Sequence, residues 1–514
     1  MRPHHTEEPL SAPQRRFSAP IALPLALSLL LCLPAASLAQ ASQPKPTATS
    51  GSRIDSLLEN LARVRTPQTV AISPDGQSLA WTVNGPRGSE LHLTGIAPAG
   101  SAQDAAWERI LSPDTIGDVT NSRPGACTAH HPAWSPDGKQ LAFLSNCSGS
   151  GTEGQPGTQN NLFVWTLAVN GMKQISHLHG MISSIQWSPD GKSIGFLYVE
   201  NATRQAGALD AMKPWSGVIG EDGVEVQTVA AVDVSGKHAN LNLITPMPHP
   251  GVHVYEFTWA PDSKQIAFIG APPPGENNWW TAKLYVRTLE PLEECNAEST
   301  CITNGPLVPD PEVLFDPTRT PGPLHGLQIA VPRFSPDGKQ IAFIGGLMSD
   351  QGSIGGDIYL IPSAGGEPKD ITPNRPASPA YISWLTDRYL GVSEHVGGSS
   401  HITALDIDSG KDLSALNLTL PETIISGTDV MSISIALKSR KVAMIRQSFD
   451  HPPEIWAGPL NDLKQITHLN DSLKPAWGKT ESIDYTNEGF HIQGWLIYPA
   501  DYDPAKKYPL VVSV

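Results

Sequence analysis

A short turn motif recurs along this sequence and constrains the fold more than any other feature. Five copies of a Pro-Asp turn, each followed by a short apolar strand, occupy residues 73–76, 135–138, 188–191, 260–263 and 335–338. Proline presets φ for the first central residue of the turn, Asp bonds back to the backbone, and Gly adopts the conformation that other residues resist. An aromatic residue precedes most copies. Each copy therefore predicts a β-hairpin.

Two degenerate copies follow, at 384–387 and 436–439, so that seven units are spaced 50 to 75 residues apart. That spacing fits one four-stranded blade per unit, with insertions in the first, third and fourth intervals. One such sheet cannot bury both of its faces, whereas seven arranged radially can, leaving only short edges. The repeats predict an all-β, seven-bladed β-propeller of the WD40-like kind over residues 67–478. Residues 42–66 are interpreted as a linker and a short helix around 53–64.

The formal charge is −15, and the basic residues are dispersed without a run of five or more. This distribution argues against nucleic acid or an anionic membrane surface as a partner. No pattern of a cofactor site is present, so no cofactor is expected. The oligomeric state is left open.

The N-terminus has the pattern of an export signal. Arg15 and Arg16 precede an apolar run at 21–33, which is followed by small residues up to Ala41. The pattern predicts a cleavable signal peptide over residues 1–41 and hence a periplasmic or secreted protein. A twin-arginine signal is the alternative, although the surrounding motif is poor. No other segment approaches 18 apolar residues, so no membrane anchor is expected.

Four cysteines remain once the signal is removed: Cys127, Cys147, Cys295 and Cys301. An even number in an oxidising compartment indicates disulfides, and four cysteines allow three pairings. The expected pairing is the local one, in which Cys127 bonds Cys147 and Cys295 bonds Cys301. No CxxC-like clamp is present, so structural disulfides are favoured over metal ligation.

Three motifs suggest chemistry but have simpler interpretations. Residues 191–195 match Gly-x-Ser-x-Gly, yet the match overlaps a Pro-Asp-Gly turn and enters a strand, where a nucleophile elbow needs a strand followed by a helix. His130 and His131 lack the further ligands that a zinc site requires, so we expect loop or blade-edge histidines and no metal. Asp406 and Asp408 lack the remaining ligands of a calcium loop, which favours a hairpin turn.

The pattern changes after about residue 479. Residues 482–485 and 492–499 read as two strands around a turn at 487–489, and the apolar run 508–514 suits a buried strand of an α/β sheet. We therefore interpret 479–514 as the N-terminal fragment of an α/β-hydrolase domain.

The stretch 494–512, with its Gly-Trp-Leu and Lys-Lys-Tyr-Pro-Leu-Val-Val segments, resembles the S9 prolyl oligopeptidase family of serine peptidases. Segments 448–456 and 464–470 resemble the last blade of its acylaminoacyl-peptidase and dipeptidyl-peptidase-like branch. The resemblance implies a propeller that caps a hydrolase active site and admits peptides while excluding folded proteins. The triad and oxyanion loop of that family match no position in this sequence. We thus expect no catalytic residue here, and a peptide substrate only where the catalytic domain is restored.

In the dipeptidyl-peptidase relatives, propeller acids hold the free amino terminus of the substrate. The resemblance makes Glu221, Asp222 and Glu225, in the third-interval insertion, candidates for that role. An ordinary Glu-Asp-Gly turn is the other interpretation.

Two functions remain open. The first is the propeller portion of an exported S9-type peptidase acting on short peptides, truncated before its catalytic residues and inactive alone. The second is a non-enzymatic, TolB-like periplasmic binding module that preserves ancestral strands at its C-terminus.

Overall fold

The computed structural model describes residues 49–85, 88–97, 105–112, 115–116, 127–147, 159–202, 226–234, 242–243, 251–273, 278–289, 311–346, 355–421, 424–427 and 431–513. Among these residues an α-helix, α1, spans Thr49–Ala62, and short 3-10 helices span Leu167–Val169 and Trp279–Thr281. The chain divides into two units, Met1–Ser56 and Leu57–Val514, and every strand of the described residues lies in the second. Within the described residues, no helix is long and apolar enough to cross a membrane.

Seven small antiparallel sheets follow one another along the chain, which confirms the predicted seven-bladed propeller. Blades 1 and 2 contain β1 (Pro67–Ile72), β2 (Ser78–Gly85), β3 (Gly88–Ile96), β4 (Ala105–Leu111), β5 (Ala129–Trp134), β6 (Gln140–Ser145), β7 (Asn161–Thr166) and β8 (Gly171–Gln174). Blades 3 and 4 contain β9 (Gly180–Trp187), β10 (Ser193–Glu200), β11 (Thr228–Asp233), β12 (Asn242–Leu243), β13 (His253–Trp259), β14 (Gln265–Ala271), β15 (Lys283–Thr288) and β16 (Glu312–Phe315). Blades 5 and 6 contain β17 (Ile329–Phe334), β18 (Gln340–Gly345), β19 (Asp357–Pro362), β20 (Lys369–Asp370), β21 (Ser378–Trp384), β22 (Tyr389–Val396), β23 (Ser399–Asp406) and β24 (Lys411–Leu420). Blade 7 contains β25 (Ile424–Ser426), β26 (Ser434–Ala436), β27 (Lys441–Gln447), β28 (Glu454–Pro459) and β29 (Lys464–Gln465).

The Pro-Asp turn joins the first two strands of a blade. In blade 2, Ser135 Oγ donates to Asp137 Oδ1 at 2.7 Å, and the Lys139 backbone N–H donates to the same oxygen at 3.0 Å. Gly138 closes the turn with a φ of 72°, in the left-handed region that suits glycine. The same Ser–Asp bond recurs in blades 1, 3 and 5. The sequence repeat is thus a repeat of side-chain-to-backbone hydrogen bonds.

The aromatic residue that precedes the turn links one blade to the next. Trp134 Nε1 donates to the carbonyl of Ala71 in blade 1 at 3.0 Å. Trp187 and Trp384 make the equivalent bond to their preceding blades, each at 2.9 Å. Trp259 holds the same place in blade 4, but its buried indole nitrogen has no hydrogen-bond partner among the described residues.

The hydrophobic core lies between neighbouring blades. Between blades 1 and 2, Leu93 of β3 packs with Phe143 of β6 and Phe163 of β7, and all three are essentially inaccessible to solvent. The two phenylalanine rings stack with centroids 5.5 Å apart. Burying each such side chain contributes roughly 1.5–3 kcal/mol, so the faces between blades hold the ring together.

The ring closes between blades 7 and 1. In the described structure, blade 7 is built from residues 424–465 alone, without a strand from the N-terminal end. The Val70 N–H of β1 donates to the carbonyl of Gly427 at 3.2 Å. The Asn470 side chain bonds both the N–H and the carbonyl of Arg65, each at 2.8 Å. Side-chain packing and these few bonds therefore close the ring.

The pairing of the first strand of each blade is interrupted at one point along its length. In blades 1 to 6 the pairing register shifts there, and in blade 7 the strand is split into β25 and β26. Positive φ values occur at His131, Ser184 and Val331, which is unusual for residues other than glycine. These irregularities change the direction in which the side chains of the innermost strands project.

A separate hairpin follows blade 7 and consists of β30 (Thr480–Asn487) and β31 (Phe490–Ile497). Its turn residues Glu488 and Gly489 have φ values of 51° and 88°. Residue 514 lies outside the described residues; over residues 508–513 no strand is formed, and Val511 is 89% exposed. A strand requires a neighbour to accept its backbone hydrogen bonds, and the described residues supply none there.

Candidate functional site

The hairpin β30–β31 lies at the end of the propeller where the second strand of a blade leads into the third. Two of these connections contact it: residues 448–453 of blade 7 and the turn at 397–398 of blade 6. We call this end the hairpin-side face. In blades 1 to 5 the connections from the second to the third strand, which lie at this face, include residues outside the described ranges. These residues are 86–87, 148–158, 203–225, 274–277 and 347–354.

Aromatic contacts hold the hairpin to the face. The Trp495 ring of β31 packs on Phe449 of blade 7, with ring centroids 5.2 Å apart. Trp477, in the segment that leads to the hairpin, donates from Nε1 to the Phe449 carbonyl at 2.9 Å. A Cβ added to Gly398 of blade 6 would lie 2.7 Å from Gln493 Nε2 and 3.0 Å from the Trp495 ring, so a larger residue here would displace these β31 side chains.

A buried ionic cluster lies in blade 6, three residue pairs below that glycine turn. Glu394 is fully buried, and its carboxylate accepts hydrogen bonds from Arg375 Nε at 2.8 Å and from Arg375 Nη2. His401, its cross-strand partner, lies with Nδ1 2.6 Å from Glu394 Oε1. Arg375 Nη2 also donates to Asp412 Oδ1 at 2.9 Å. Four segments of chain thus meet in one network.

The network fixes the charge of its members. Burial alone would raise the pKa of Glu394, but hydrogen bonds from Arg375 and His401 outweigh burial and hold that pKa below its usual range. The hydrogen bond to Glu394 raises the pKa of His401, although burial acts in the opposite direction. Both carboxylate oxygens of Glu394 already accept hydrogen bonds, so this carboxylate is unsuited to proton transfer. We interpret the cluster as a clamp that fixes the β22–β23 turn beneath the hairpin.

A pair of histidines lies near the same face in blade 2. His130 Nδ1 and His131 Nδ1 are 2.6 Å apart. Burial, reinforced by the neighbouring His131, lowers the pKa of His130 to about 4, so its ring is neutral at physiological pH. In the described ranges, no three His, Cys, Asp or Glu side chains converge as metal ligands would.

The chain is similar in sequence to dipeptidyl peptidases of the S9 type. No family model matches the chain. The chain is 22% identical over 499 residues to dipeptidyl-peptidase 5 of Porphyromonas gingivalis, covering 89% of this chain and 62% of that protein. It is 23% identical over 267 residues to probable dipeptidyl-peptidase 5 of Aspergillus niger, covering 50% of this chain and 34% of that protein. The resemblance to the S9 family is confirmed.

A solved structure shares the S9-type fold. The acylaminoacyl peptidase of Pyrococcus horikoshii superposes with a TM-score of 0.53 at 12% sequence identity, covering 85% of this chain and 58% of that one. At this identity the likeness concerns the fold alone. The chain spans about a third to three-fifths of the length of the two curated S9-type relatives above.

The site residues predicted for an S9-type propeller are only partly visible. Glu221, Asp222 and Glu225 lie outside the described residues, in the connection between β10 and β11 that begins and ends at the hairpin-side face. Their role as ligands of a peptide amino terminus stays a prediction.

The cysteines are also only partly visible. Cys127 and Cys147 form a disulfide at the start of β5 and the end of β6, and both are buried between blades 1 and 2. Cys295 and Cys301 lie outside the described residues.

The two remaining motifs are structural. Ser193 is the first residue of β10, pairs with Asp233, and its backbone N–H donates to Ser188 Oγ at 3.0 Å in the Pro-Asp turn. Asp406 accepts from the backbone N–H of Asp408 at 3.0 Å and from Arg388 at 2.7 Å, as a hairpin turn requires. Both match the simpler interpretation.

Sequence reasoning did not identify the blade 6 cluster. The pairing of Glu394 with His401 could have been inferred, because these residues are symmetric about the Gly397–Gly398 turn of a hairpin. Arg375 comes from the connection before β21, outside that hairpin, and the sequence gives no signal that it reaches Glu394.

Proposed function

We propose that residues 67–478 are the substrate-gating propeller of an exported S9-type serine peptidase that acts on short peptides. The observation that carries this proposal is the attachment of the β30–β31 hairpin to one face of the ring through Trp495 and Phe449. In the proposal, that face is directed at the catalytic domain, and the hairpin is the first part of that domain.

The Cys127–Cys147 disulfide supports the exported part of the proposal. Disulfides persist in oxidising compartments and are rare in the cytosol. Together with the signal-peptide pattern at residues 1–41, the disulfide favours the periplasm or the exterior of the cell as the location.

In the proposal, the serine nucleophile, the oxyanion loop, the acid and the histidine are supplied by sequence beyond residues 1–514. We therefore expect the purified 514-residue chain to leave fluorogenic dipeptide substrates intact. Turnover that a serine-directed inhibitor abolishes would contradict this assignment. Stable folding of the chain with capture of a defined protein partner, and no peptidase activity after extension, would instead favour the TolB-like binding module.

Extension of the reading frame tests the peptidase directly. The DNA that follows the codon for Val514 is expected to encode an oxyanion loop of the His-Gly-Gly type and a Gly-x-Ser-x-Gly elbow. A protein expressed from the extended frame should cleave short peptides and spare folded proteins. The peptidase proposal fails if neither motif is encoded.

Gating can be tested on the extended protein with a matched pair of substitutions. Phe449→Ala removes the ring on which Trp495 packs, which should loosen the propeller at the hairpin-side face. The rate on casein should then rise relative to the rate on a dipeptide substrate. Phe490→Ala is the control, because Phe490 lies at the tip of the same hairpin and is 72% exposed. An unchanged ratio in Phe449→Ala would count against gating.

A further inference from the structure

The ring of His401, in the blade 6 cluster, has an oxygen atom facing each of its two nitrogens. Nδ1 lies 2.6 Å from Glu394 Oε1, and Nε2 lies 3.0 Å from Asn417 Oδ1. Both oxygens are acceptors, since an ionised carboxylate carries no proton and the oxygen of an amide cannot donate. Both ring nitrogens must therefore donate, which a histidine does only in its protonated, positively charged form.

The charges of the cluster also require a positive ring. Glu394 is fully buried, and the side chains of Arg375 and Asp412 are only 15% and 26% exposed. Two carboxylates and one guanidinium leave one negative charge unbalanced in a largely buried site, which is costly. A positive His401 balances it. His395, the next residue of β22, adds no charge above neutral pH, because burial lowers its pKa.

The cluster lies below the part of blade 6 that touches the hairpin. Glu394 of β22 pairs with His401 of β23, and two further residue pairs lead to the turn at 397–398. The side chains of Gln493 and Trp495 on β31 lie close above Gly398. A change in the Glu394–His401 pair therefore acts on the turn against which β31 packs.

Loss of the His401 proton weakens this arrangement. One ring nitrogen then faces its oxygen without a hydrogen, and Arg375 alone offsets the carboxylates of Glu394 and Asp412. The hydrogen bond to Glu394 raises the pKa of His401 in the folded chain. The stabilisation is thus complete below about pH 6.5, the usual pKa of an exposed histidine, and is lost as pH rises through the pKa of the folded chain.

We propose that His401 is a pH-sensitive latch. While protonated, it fixes the turn at 397–398 beneath β31; as pH rises and the proton leaves, it releases that turn and loosens the attachment of the hairpin. The proposal uses only contacts within the 514-residue chain, so it stands or falls independently of the peptidase assignment.

Nitrogen-15 NMR spectra of the histidine-labelled 514-residue chain test the protonation of His401. Both of its ring nitrogens should be protonated at about pH 6, and the midpoint of its titration should lie above about pH 6.5. Hydrogen exchange then tests the release. The protection factors of segments 396–400 and 490–497, each calculated against the intrinsic exchange rate at that pH, should fall by roughly 10-fold across the same midpoint, as expected for loss of one charged hydrogen bond.

His401→Gln retains an N–H donor for Glu394 but cannot titrate, so it should abolish the pH-dependent change in protection. His491→Gln is the matched control, because His491 lies on β31 with its side chain 73% exposed, and its loss should leave the change unaltered. Circular dichroism verifies that each variant is folded; if His401→Gln does not fold, the measurements on the unaltered chain decide. The proposal is overturned by a neutral His401 at about pH 6, by protection that does not follow the His401 midpoint, or by a pH-dependent change that persists in His401→Gln.

Discussion

The bond between the two ends of the propeller can be tested by removing the Asn470 side chain. Asn470 is fully buried; its Oδ1 accepts from the N–H of Arg65, and its Nδ2 donates to the carbonyls of Arg65 and Pro453 and to Glu454 Oε1. Each such hydrogen bond contributes a net of about 0.5–1.5 kcal/mol to the free energy of unfolding. Arg65 is partly exposed, so solvent can replace part of the loss there. We expect Asn470→Ala to lower the free energy of unfolding by about 3 kcal/mol.

The assay is urea unfolding followed by both tryptophan fluorescence and far-ultraviolet circular dichroism. Hydrogen exchange of the Val70 amide, which bonds Gly427 across the seam, should accelerate in the variant. Asn461→Ala, at an exposed turn in the same blade, should change stability by less than about 0.5 kcal/mol.

Asn470→Asp separates hydrogen bonding from packing. The carboxylate keeps the shape and the acceptor for the Arg65 N–H, but it places an oxygen against the Arg65 carbonyl and the charged Glu454. It should therefore be at least as destabilising as Asn470→Ala. A cost below about 1 kcal/mol for Asn470→Ala, or an Asp variant as stable as the unaltered chain, refutes the reasoning.

Three further predictions concern blades 1 to 4. Trp134→Phe removes an inter-blade hydrogen bond and should lower the free energy of unfolding, measured in urea, by about 1 kcal/mol. Trp259→Phe should lower it by less, because the Trp259 indole nitrogen has no partner among the described residues. Equal losses in the two variants would contradict this. Because the pKa of His130 is lowered to about 4, the unfolded chain takes up a proton at this histidine before the folded chain does as pH falls. The free energy of unfolding should therefore decrease by about 3 kcal/mol between about pH 6.5 and 4. His130→Gln should flatten that part of the curve, and an unaltered slope in the variant would contradict the prediction. Replacing Cys127 and Cys147 by alanine removes a disulfide that closes a loop with a sequence separation of 20. The free energy of unfolding, measured by thermal or urea unfolding, should fall by about 3 kcal/mol. Unaltered stability would show that the disulfide constrains the unfolded chain little.

The blades were predictable because their signals are local. A turn such as 135–138 is specified by four adjacent residues, and each antiparallel pair follows from its own turn, so the number and order of the sheets could be read along the sequence. The hairpin at 480–497 was predictable for the same reason. The apolar run at 508–513, which forms no strand in the described structure, shows the limit, because such a run indicates a buried strand only where neighbouring strands cover it.

Contacts between distant segments could not be predicted. Asn470 and Arg65 are separated by 405 positions, and neither residue type indicates a partner. The cluster around Glu394 requires Arg375 to enter from outside the hairpin, and an asparagine or arginine at such positions is equally compatible with solvent. The candidate acids in the third insertion lie in a segment outside the described residues, so their role stays a prediction.

The absence of strand exchange in blade 7, within the described structure, has a consequence for biosynthesis. Every sheet uses consecutive residues, so each can form as soon as its own stretch of chain has emerged, without waiting for later sequence. The face of the first sheet that packs on blade 7 is covered much later than the sheet itself forms. Its residues Val70 and Ile72 pack with Ala436 and Ile445, which are among the last propeller residues to be synthesised. This apolar surface therefore stays uncovered while nearly the whole chain is synthesised, so it is the surface that a holdase chaperone would most need to protect.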